Sequence, residues 1–230
     1  MAFHQDPAPR ARARPLCAPL LESLREGGVD RAVIVLRQGK WDIPAFLGQD
    51  GAGLGIELIY RIIEPTASVP ETLAEALPFL DRCRVALGFP DIVFEPRDAF
   101  RQVIARQDAT GADAVLGLFP CDRGHKADMI AFDDAGRVQR LVIKQPGHDL
   151  EFTWSIAVWT PRFSGFLRQT VEQARAESRA RELYVGDVLQ LAIDQGLVIE
   201  TVRFADGFSL DAGTPDDLTR LLRGEIPSAP

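Results

Sequence analysis

The sequence predicts an α/β protein of three layers: a mostly parallel β-sheet with helices on both faces and an inserted antiparallel hairpin. Three observations carry this expectation. Short apolar runs alternate with helical patterns from Leu16 onward, the order that builds parallel sheets through crossover connections. Runs such as Ala32-Val33-Ile34-Val35-Leu36 and Val115-Leu116-Gly117-Leu118-Phe119 lack polar alternation, as strands covered on both faces do. Asp133-Asp134-Ala135-Gly136 separates two strand-like segments, and its glycine can take the positive φ of a hairpin turn.

Taken in order, residues 1–15 are rich in Pro, Ala and Arg without apolar periodicity, and are expected to form a poorly ordered arm. Leu16, Leu20, Leu21 and Leu24 recur at helical spacing up to Gly27-Gly28, a helix end. Arg31 to Arg37 then reads as a fully buried strand. Ile56 to Ile63 is a second strand, Pro70 to Arg82 a helix with Pro near its first turn, and Arg84 to Gly88 a short strand. Pro96 to Gln107 reads as helix and Ala112 to Phe119 as strand. Asp128 to Phe132 and Val138 to Lys144 form the hairpin, followed by a strand at Phe152 to Trp159. Helices are expected at Pro161 to Gln173 and Val185 to Gln195, with a strand at Leu197 to Phe204. Thr214-Pro215-Asp216-Asp217 starts a last helix, since Thr caps free amides, Pro fits the first turn and acids suit the dipole's positive end. Residues 16–223 are thus read as one domain and 224–230 as a tail.

Charge and composition narrow the function. A net charge of -7 disfavours nucleic-acid and membrane partners, because both are polyanionic surfaces. Cys17, Cys83 and Cys121 are odd in number and widely spaced, which suits reduced thiols better than a disulfide framework or a zinc site. The sequence has no apolar run long enough to span a membrane, and no hydrophobic segment follows the N-terminal arginines, so a cytoplasmic location is expected. Gly51-Ala52-Gly53-Leu54-Gly55 is followed by a strand and not a helix, which makes it a turn and not a dinucleotide fingerprint. His4, His125 and His148 have neither ligand nor triad spacing and read as surface histidines. Lys40-Trp41 could approach a ligand, and packing explains it equally well.

Two acids stand out by position. Asp91 follows Ala86-Leu87-Gly88-Phe89-Pro90 and precedes Ile92-Val93-Phe94, near the C-terminal edge of a buried strand, where open α/β sheets place ligands. Asp211 lies in Phe208-Ser209-Leu210-Asp211-Ala212-Gly213-Thr214-Pro215, between a strand-like segment and the last helix. Each also has a structural reading, since Pro-Asp is common in turns and Asp ahead of a helix helps to cap it.

The surrounding words resemble those of the sugar-nucleotide nucleotidyltransferases, the NDP-sugar pyrophosphorylases. Gly88-Phe89-Pro90-Asp91-Ile92-Val93-Phe94 is similar to a stretched form of the family's Leu-Gly-Asp-Asn-Ile-Phe. Leu210-Asp211-Ala212-Gly213-Thr214-Pro215-Asp216-Asp217-Leu218 resembles its Leu-Asp-Val-Gly-Thr-Pro-Glu-Asp-Leu. The hairpin segment ending in Ile143-Lys144-Gln145-Pro146 is similar to one ending in Glu-Lys-Pro. Pro15 to Phe46, Ile56 to Ala76, Trp154 to Pro161 and Glu182 to Asp194 follow in the family's order, so the resemblance spans about residues 15 to 222.

The resemblance implies a nucleotidyltransferase fold related to that of many glycosyltransferases. It implies transfer of a nucleotidyl group from an NTP to a sugar-1-phosphate with loss of pyrophosphate. Asp91 and Asp211 would hold Mg²⁺, Lys144 would meet the sugar phosphate, and Glu64, Thr72 and Trp154 would fall near substrate. From position alone Lys144 is an exposed strand-end lysine, and Trp154 is core. A non-catalytic homologue that binds a nucleotide sugar or a partner protein is the alternative, followed by a glycosyltransferase, although neither Asp91 nor Asp211 has an Asp two residues away. A homo-oligomer remains open, and Ile143 stands where the family has a sugar-binding Glu, so sugar and base are unreadable.

One departure is large. The family opens on a buried strand running into Gly-x-Gly-x-x-Arg-Leu, whose amides cradle phosphates, whereas Met1 to Arg14 contains no glycine. Two expectations follow: the natural protein begins upstream of Met1, or the sheet closes over the missing strand and activity is lost. Arg10, Arg12 and Arg14 are poor substitutes for a preorganised amide cradle.

Overall fold

The computed structural model describes residues 15–51, 53–80, 82–177 and 181–224. The arm at residues 1–14, with Arg10, Arg12 and Arg14, and the tail from 225 lie outside the described residues. The elements are α1 (Ala18–Glu26), β1 (Arg31–Arg37), α2 (Asp42–Leu47), β2 (Glu57–Ile63), α3 (Val69–Ala74), β3 (Val85–Leu87), β4 (Ile92–Glu95), α4 (Ala99–Thr110) and β5 (Ala114–Pro120). After these come β6 (Asp128–Phe132), β7 (Val138–Ile143), β8 (Phe152–Trp159), α5 (Pro161–Ala176), α6 (Val185–Asp194), β9 (Ile199–Arg203), β10 (Phe208–Asp211) and α7 (Pro215–Leu222). No helix among the described residues is long and apolar enough to cross a membrane.

Differences from the sequence reading have local causes. The helix expected from Pro70 to Arg82 stops at Ala74 and gives way to a 3₁₀ turn at Leu77–Phe79. Pro78 has no N–H for the Ala74 carbonyl, and its ring would crowd that turn. The helix expected from Pro96 starts instead at Ala99 and runs to Thr110, where Gly111 takes φ 66 and donates to the Gln107 carbonyl at 2.8 Å, a left-handed helix stop. The helix α2 was not anticipated.

The larger sheet runs β7-β6-β8-β5-β9, with β3 also paired to β8. Both β3 and β5 run antiparallel to β8, and β9 runs parallel to β5. Thus β3, β5 and β9 share one direction and β8 opposes them. The reversal has a sequence origin: between β5 and β8 the chain makes a 3₁₀ turn at Gly124–Lys126 and the β6–β7 hairpin but no α-helix, so the crossover that a parallel return requires is missing.

Both faces of this sheet are covered. Along β5, Ala114, Leu116 and Leu118 join α5 and α6 in one apolar core, while Val115 and Phe119 join α1 and α4 in the other. Asp113, buried ahead of β5, fastens the edge of this body. It accepts Arg162 Nη1 at 2.8 Å and the Val198 amide at 2.9 Å, and its own carbonyl accepts the Thr160 amide at 2.9 Å.

A second, two-stranded sheet of parallel β1 and β2 stands apart. The expectation that the sheet closes over a missing strand is overturned: β1 and β3 belong to different sheets, and a cavity of about 1230 Å³ lies between them. Its walls include Arg31 to Leu36, Arg84 to Asp91, α1 and α3. The open side also corrects the reading of β1. Its apolar run suggested complete burial, yet only Leu36 is buried, whereas every residue of β5 is.

Replacing Asp113 by Ala should leave the Val198 amide without a partner and lower stability by about 1–3 kcal/mol. That corresponds to a Tm fall of roughly 2–4 °C per kcal/mol in calorimetry. Arg162→Ala should cost less than about 1 kcal/mol, because the arginine is exposed.

Candidate functional site

Asp91 and Asp211 are 120 residues apart in sequence and meet through the smallest strands of the fold. Phe89-Pro90-Asp91-Ile92 forms a turn closed by the Ile92 amide on the Phe89 carbonyl at 3.2 Å, with Pro in the second position where its fixed φ fits. Strand β4 then pairs antiparallel with β10, setting Asp211 opposite Ile92, and the Ala212 amide donates to the Asp91 carbonyl at 2.8 Å. The Ser155 hydroxyl on β8 donates to Ser209 Oγ at 2.8 Å, tying β10 to the main sheet.

Gly213 marks where the carboxylates converge. A methyl group built there would lie 2.9 Å from Asp211 Oδ1 and 3.1 Å from Asp91 Oδ2, so both oxygens border one small space. Burial pushes the Asp91 carboxyl above its ordinary range; its own amide opposes this, and the charge of Asp211 adds to it. Asp211 itself is exposed and accepts the Gly213 amide at 2.7 Å. No group of three or more His, Cys, Asp or Glu able to hold a metal occurs among the described residues. Two hard oxygen donors nevertheless fit Mg²⁺, which is commonly held by one or two carboxylates while phosphates and water complete its shell.

Helix α7 follows at once. Thr214 accepts the Asp217 amide at 3.2 Å and donates to its carboxylate at 2.6 Å. None of the helix's residues is buried. Two ion pairs hold it to the segment after β5: Arg123 with Asp217 at 2.7 Å and Arg220 with Asp122 at 2.9 Å.

Lys144 and Trp154 belong to a neighbouring cluster. Lys144 directly follows β7 with φ 47, a left-handed conformation that costs a non-glycine residue roughly 1–2 kcal/mol. Its Nζ lies 3.9 Å from the centre of the Tyr184 ring, and its charge acts on Asp128. Trp154, buried at 8% exposure, acts on Asp128 to favour its charged form, and its ring lies 5.8 Å from Phe89. Phe89 thus connects the Asp91 turn to this cluster. The sequence reading missed Asp128. Its Oδ1 is buried without a hydrogen-bond partner, and burial pushes its carboxyl up despite Lys144, Trp154 and the Gly186 amide. Gly186 allows the approach, since a methyl group there would meet Asp128 Oδ2 at 2.6 Å. An acid at the first residue of a strand gives no warning of this in sequence.

The remaining candidates are more distant. Thr72, on α3, shares the large cavity with Asp91 and is hydrogen-bonded to Thr66 at 2.5 Å. Glu64 is exposed beyond β2 and accepts Gln38 Nε2 at 2.7 Å. Neither lies among the contacts described for the two acidic clusters.

No family model and no curated protein matches the chain. Solved structures do match in fold. A protein assigned as a glucose-1-phosphate thymidylyltransferase from Bacillus anthracis, solved with sucrose, superposes with a TM-score of 0.78 at 16% identity, over 94% of this chain and 85% of that one. The inositol-1-phosphate CTP transferase of T. maritima gives 0.70 at 19% identity, over 91% and 80%. A UDP-glucose pyrophosphorylase complexed with UDP-glucose gives 0.74 at 12% identity, over 92% and 86%. At these identities the likeness establishes a shared mixed α/β fold.

The raised Asp91 carboxyl has a measurable consequence. The folded protein holds that proton more tightly than the unfolded chain does, so the group favours folding below its unfolded pKa, about 3.9. This advantage is lost as pH rises through the folded value. Without added metal, Asp91→Asn should therefore raise Tm at pH 7.5 and leave it unchanged near pH 3.5. Mg²⁺ should raise the Tm of the unsubstituted protein more than that of the variant.

Proposed function

We propose that this protein is a nucleotidyltransferase that joins an NTP to a sugar-1-phosphate and releases pyrophosphate. The observation that carries the reading is the convergence of Asp91 and Asp211 on the space beside Gly213. The fold shared with pyrophosphorylases and with a CTP transferase supports it, as does the motif resemblance around both acids.

In this reaction an oxygen of the sugar phosphate attacks the α-phosphorus of the NTP, and the bond to the β-phosphate oxygen breaks as pyrophosphate departs. Both reactants are anions and no carbon-bound proton moves, so the protein's task is positioning and charge neutralisation. Asp91 and Asp211 would hold Mg²⁺, which when bound neutralises phosphate charge. The partial burial of Asp91 strengthens its pull on a cation, because water screens it less. Lys144, a mobile point charge on an exposed strand end, would receive the sugar phosphate. Asp128 and Tyr184 offer that ammonium group a carboxylate and a ring face while no phosphate is bound. Trp154 would support this arrangement from the core by favouring the charged form of Asp128, and Thr72 and Glu64 would approach the substrate from α3 and the end of β2. The protein is expected to work in the cytoplasm, where both substrates occur.

One observation favours the second reading, a homologue that binds a nucleotide sugar or a partner without turnover. The described residues line the space between β1 and β3 but place no strand or phosphate-cradling loop there.

The test is pyrophosphate release across a panel of NTP and sugar-1-phosphate pairs with Mg²⁺. Activity should appear with at least one pair and fall at least about 1000-fold in Asp91→Asn and in Asp211→Asn, as loss of several kcal/mol of charge stabilisation requires. Lys144→Met should raise KM for the sugar phosphate by about 10- to 100-fold, the worth of one charged hydrogen bond. Silence across the panel with retained nucleotide-sugar binding would establish the second reading instead.

A further inference from the structure

Lys144 can serve one partner at a time. Its amide donates to the Ala127 carbonyl at 3.0 Å while the residue itself is exposed, so the side chain can turn about a fixed pivot. At rest its Nζ lies 3.9 Å from the centre of the Tyr184 ring, within cation–π range, and its charge acts on Asp128. When Lys144 turns to a substrate phosphate, as the proposed reaction requires, that ring face and that carboxylate lose their cation.

The surroundings do little to replace it. Ile143, directly across the hairpin from Asp128, is apolar and offers no donor. Arg181, the other cation near the ring at 6.0 Å, is already engaged, since Asp187 accepts its two terminal nitrogens at 2.9 Å and 2.7 Å. Trp154 and the Gly186 amide favour the charged form of Asp128, but both are neutral. Asp128 Oδ1 is buried without a hydrogen-bond partner even with Lys144 at rest. A carboxylate in such a place that loses its cation must take up a proton or another cation, because an uncompensated buried charge is costly.

We propose that the niche vacated by Lys144 binds an ammonium group of the substrate, so that the sugar-1-phosphate used by this protein carries a free amino group on the carbon beside the anomeric centre. A ring face and a carboxylate are the two features that recognise an ammonium group, and Lys144 shows that this pair accommodates one. A primary ammonium brings three N–H donors, which answers the lack of a partner at Asp128 Oδ1. Phosphate and amine would be separated by no more than the swing of one lysine side chain, which suits groups on adjacent carbons. The inference rests on Lys144 receiving the substrate phosphate, and it uses no contact of Asp91 or Asp211.

The test is calorimetric titration of the full chain at neutral pH with glucosamine-1-phosphate, N-acetylglucosamine-1-phosphate and glucose-1-phosphate, in the presence of Mg²⁺ and non-hydrolysable NTP analogues. Glucosamine-1-phosphate should bind about 10- to 100-fold more tightly than the other two, as one charged hydrogen bond allows. Asp128→Asn should remove the preference, whereas a general loss of structure would weaken all three ligands in proportion and keep it. Tyr184→Leu should reduce it about 3- to 10-fold. Equal affinities, no binding of glucosamine-1-phosphate, or a preference that survives Asp128→Asn overturns the inference. Pyrophosphate release is scored separately: its absence with every pair fails the proposed reaction, and the ratio of affinities still decides the amine.

Discussion

The main sheet depends on one requirement, that every buried backbone amide and carbonyl find a partner. Strand β8 meets it on both edges. Along one it pairs with β5 over its full length, and along the other with β6 at Thr153 and with β3 from Ala157 to Trp159. Because β8 satisfies three neighbours at once, the two apolar cores can form on either side of it, and its side chains enter both: Trp154, Ala157 and Trp159 on one face, Ile156 and Val158 on the other. Where the same requirement is not met by the described residues, at β1 and β3, the structure opens.

The candidate site is built differently from the body that carries it. Strands β4 and β10 have four residues each and bury little on their own. They are positioned by what lies behind them: Phe94 among Phe100 and Phe119, and Leu210 buried against the body. Packing therefore fixes the backbone of the pair, while the carboxylates at its end remain at the margin of solvent. This suits phosphate chemistry, in which charged groups must be rigidly placed yet reachable.

Much of this was legible in the sequence. The apolar runs located β1, β2, β5 and β8, and the Thr-Pro-Asp-Asp segment located the start of α7. The last acidic motif also carried enough context to single out Asp211. The direction of β8 was not legible from local pattern, because an apolar strand reads the same whichever way it runs. Lys144 could be placed at a strand end, but its left-handed backbone and its position over Tyr184 come from tertiary packing of the hairpin on α6. Asp128 was invisible for the same reason: its burial is set by Gly186 and Trp154, which approach from other parts of the chain. Pro78 could have ended the third helix on inspection, since a proline inside a helix interior is a local signal.

Helix α7 follows Asp211 directly, yet it is held by charge. Leu218 and Leu222 remain outside, with Leu222 at 80% exposure, and its described fastenings to the body include the ion pairs of Arg123 and Arg220. Surface pairs of this kind weaken as ionic strength rises, whereas the apolar cores beneath do not depend on charge. The end of the candidate site beyond Gly213 is therefore more sensitive to salt than the frame that carries it. Changes in the ionic medium act first on the chain that leaves Asp211, before any strand of the sheet is disturbed.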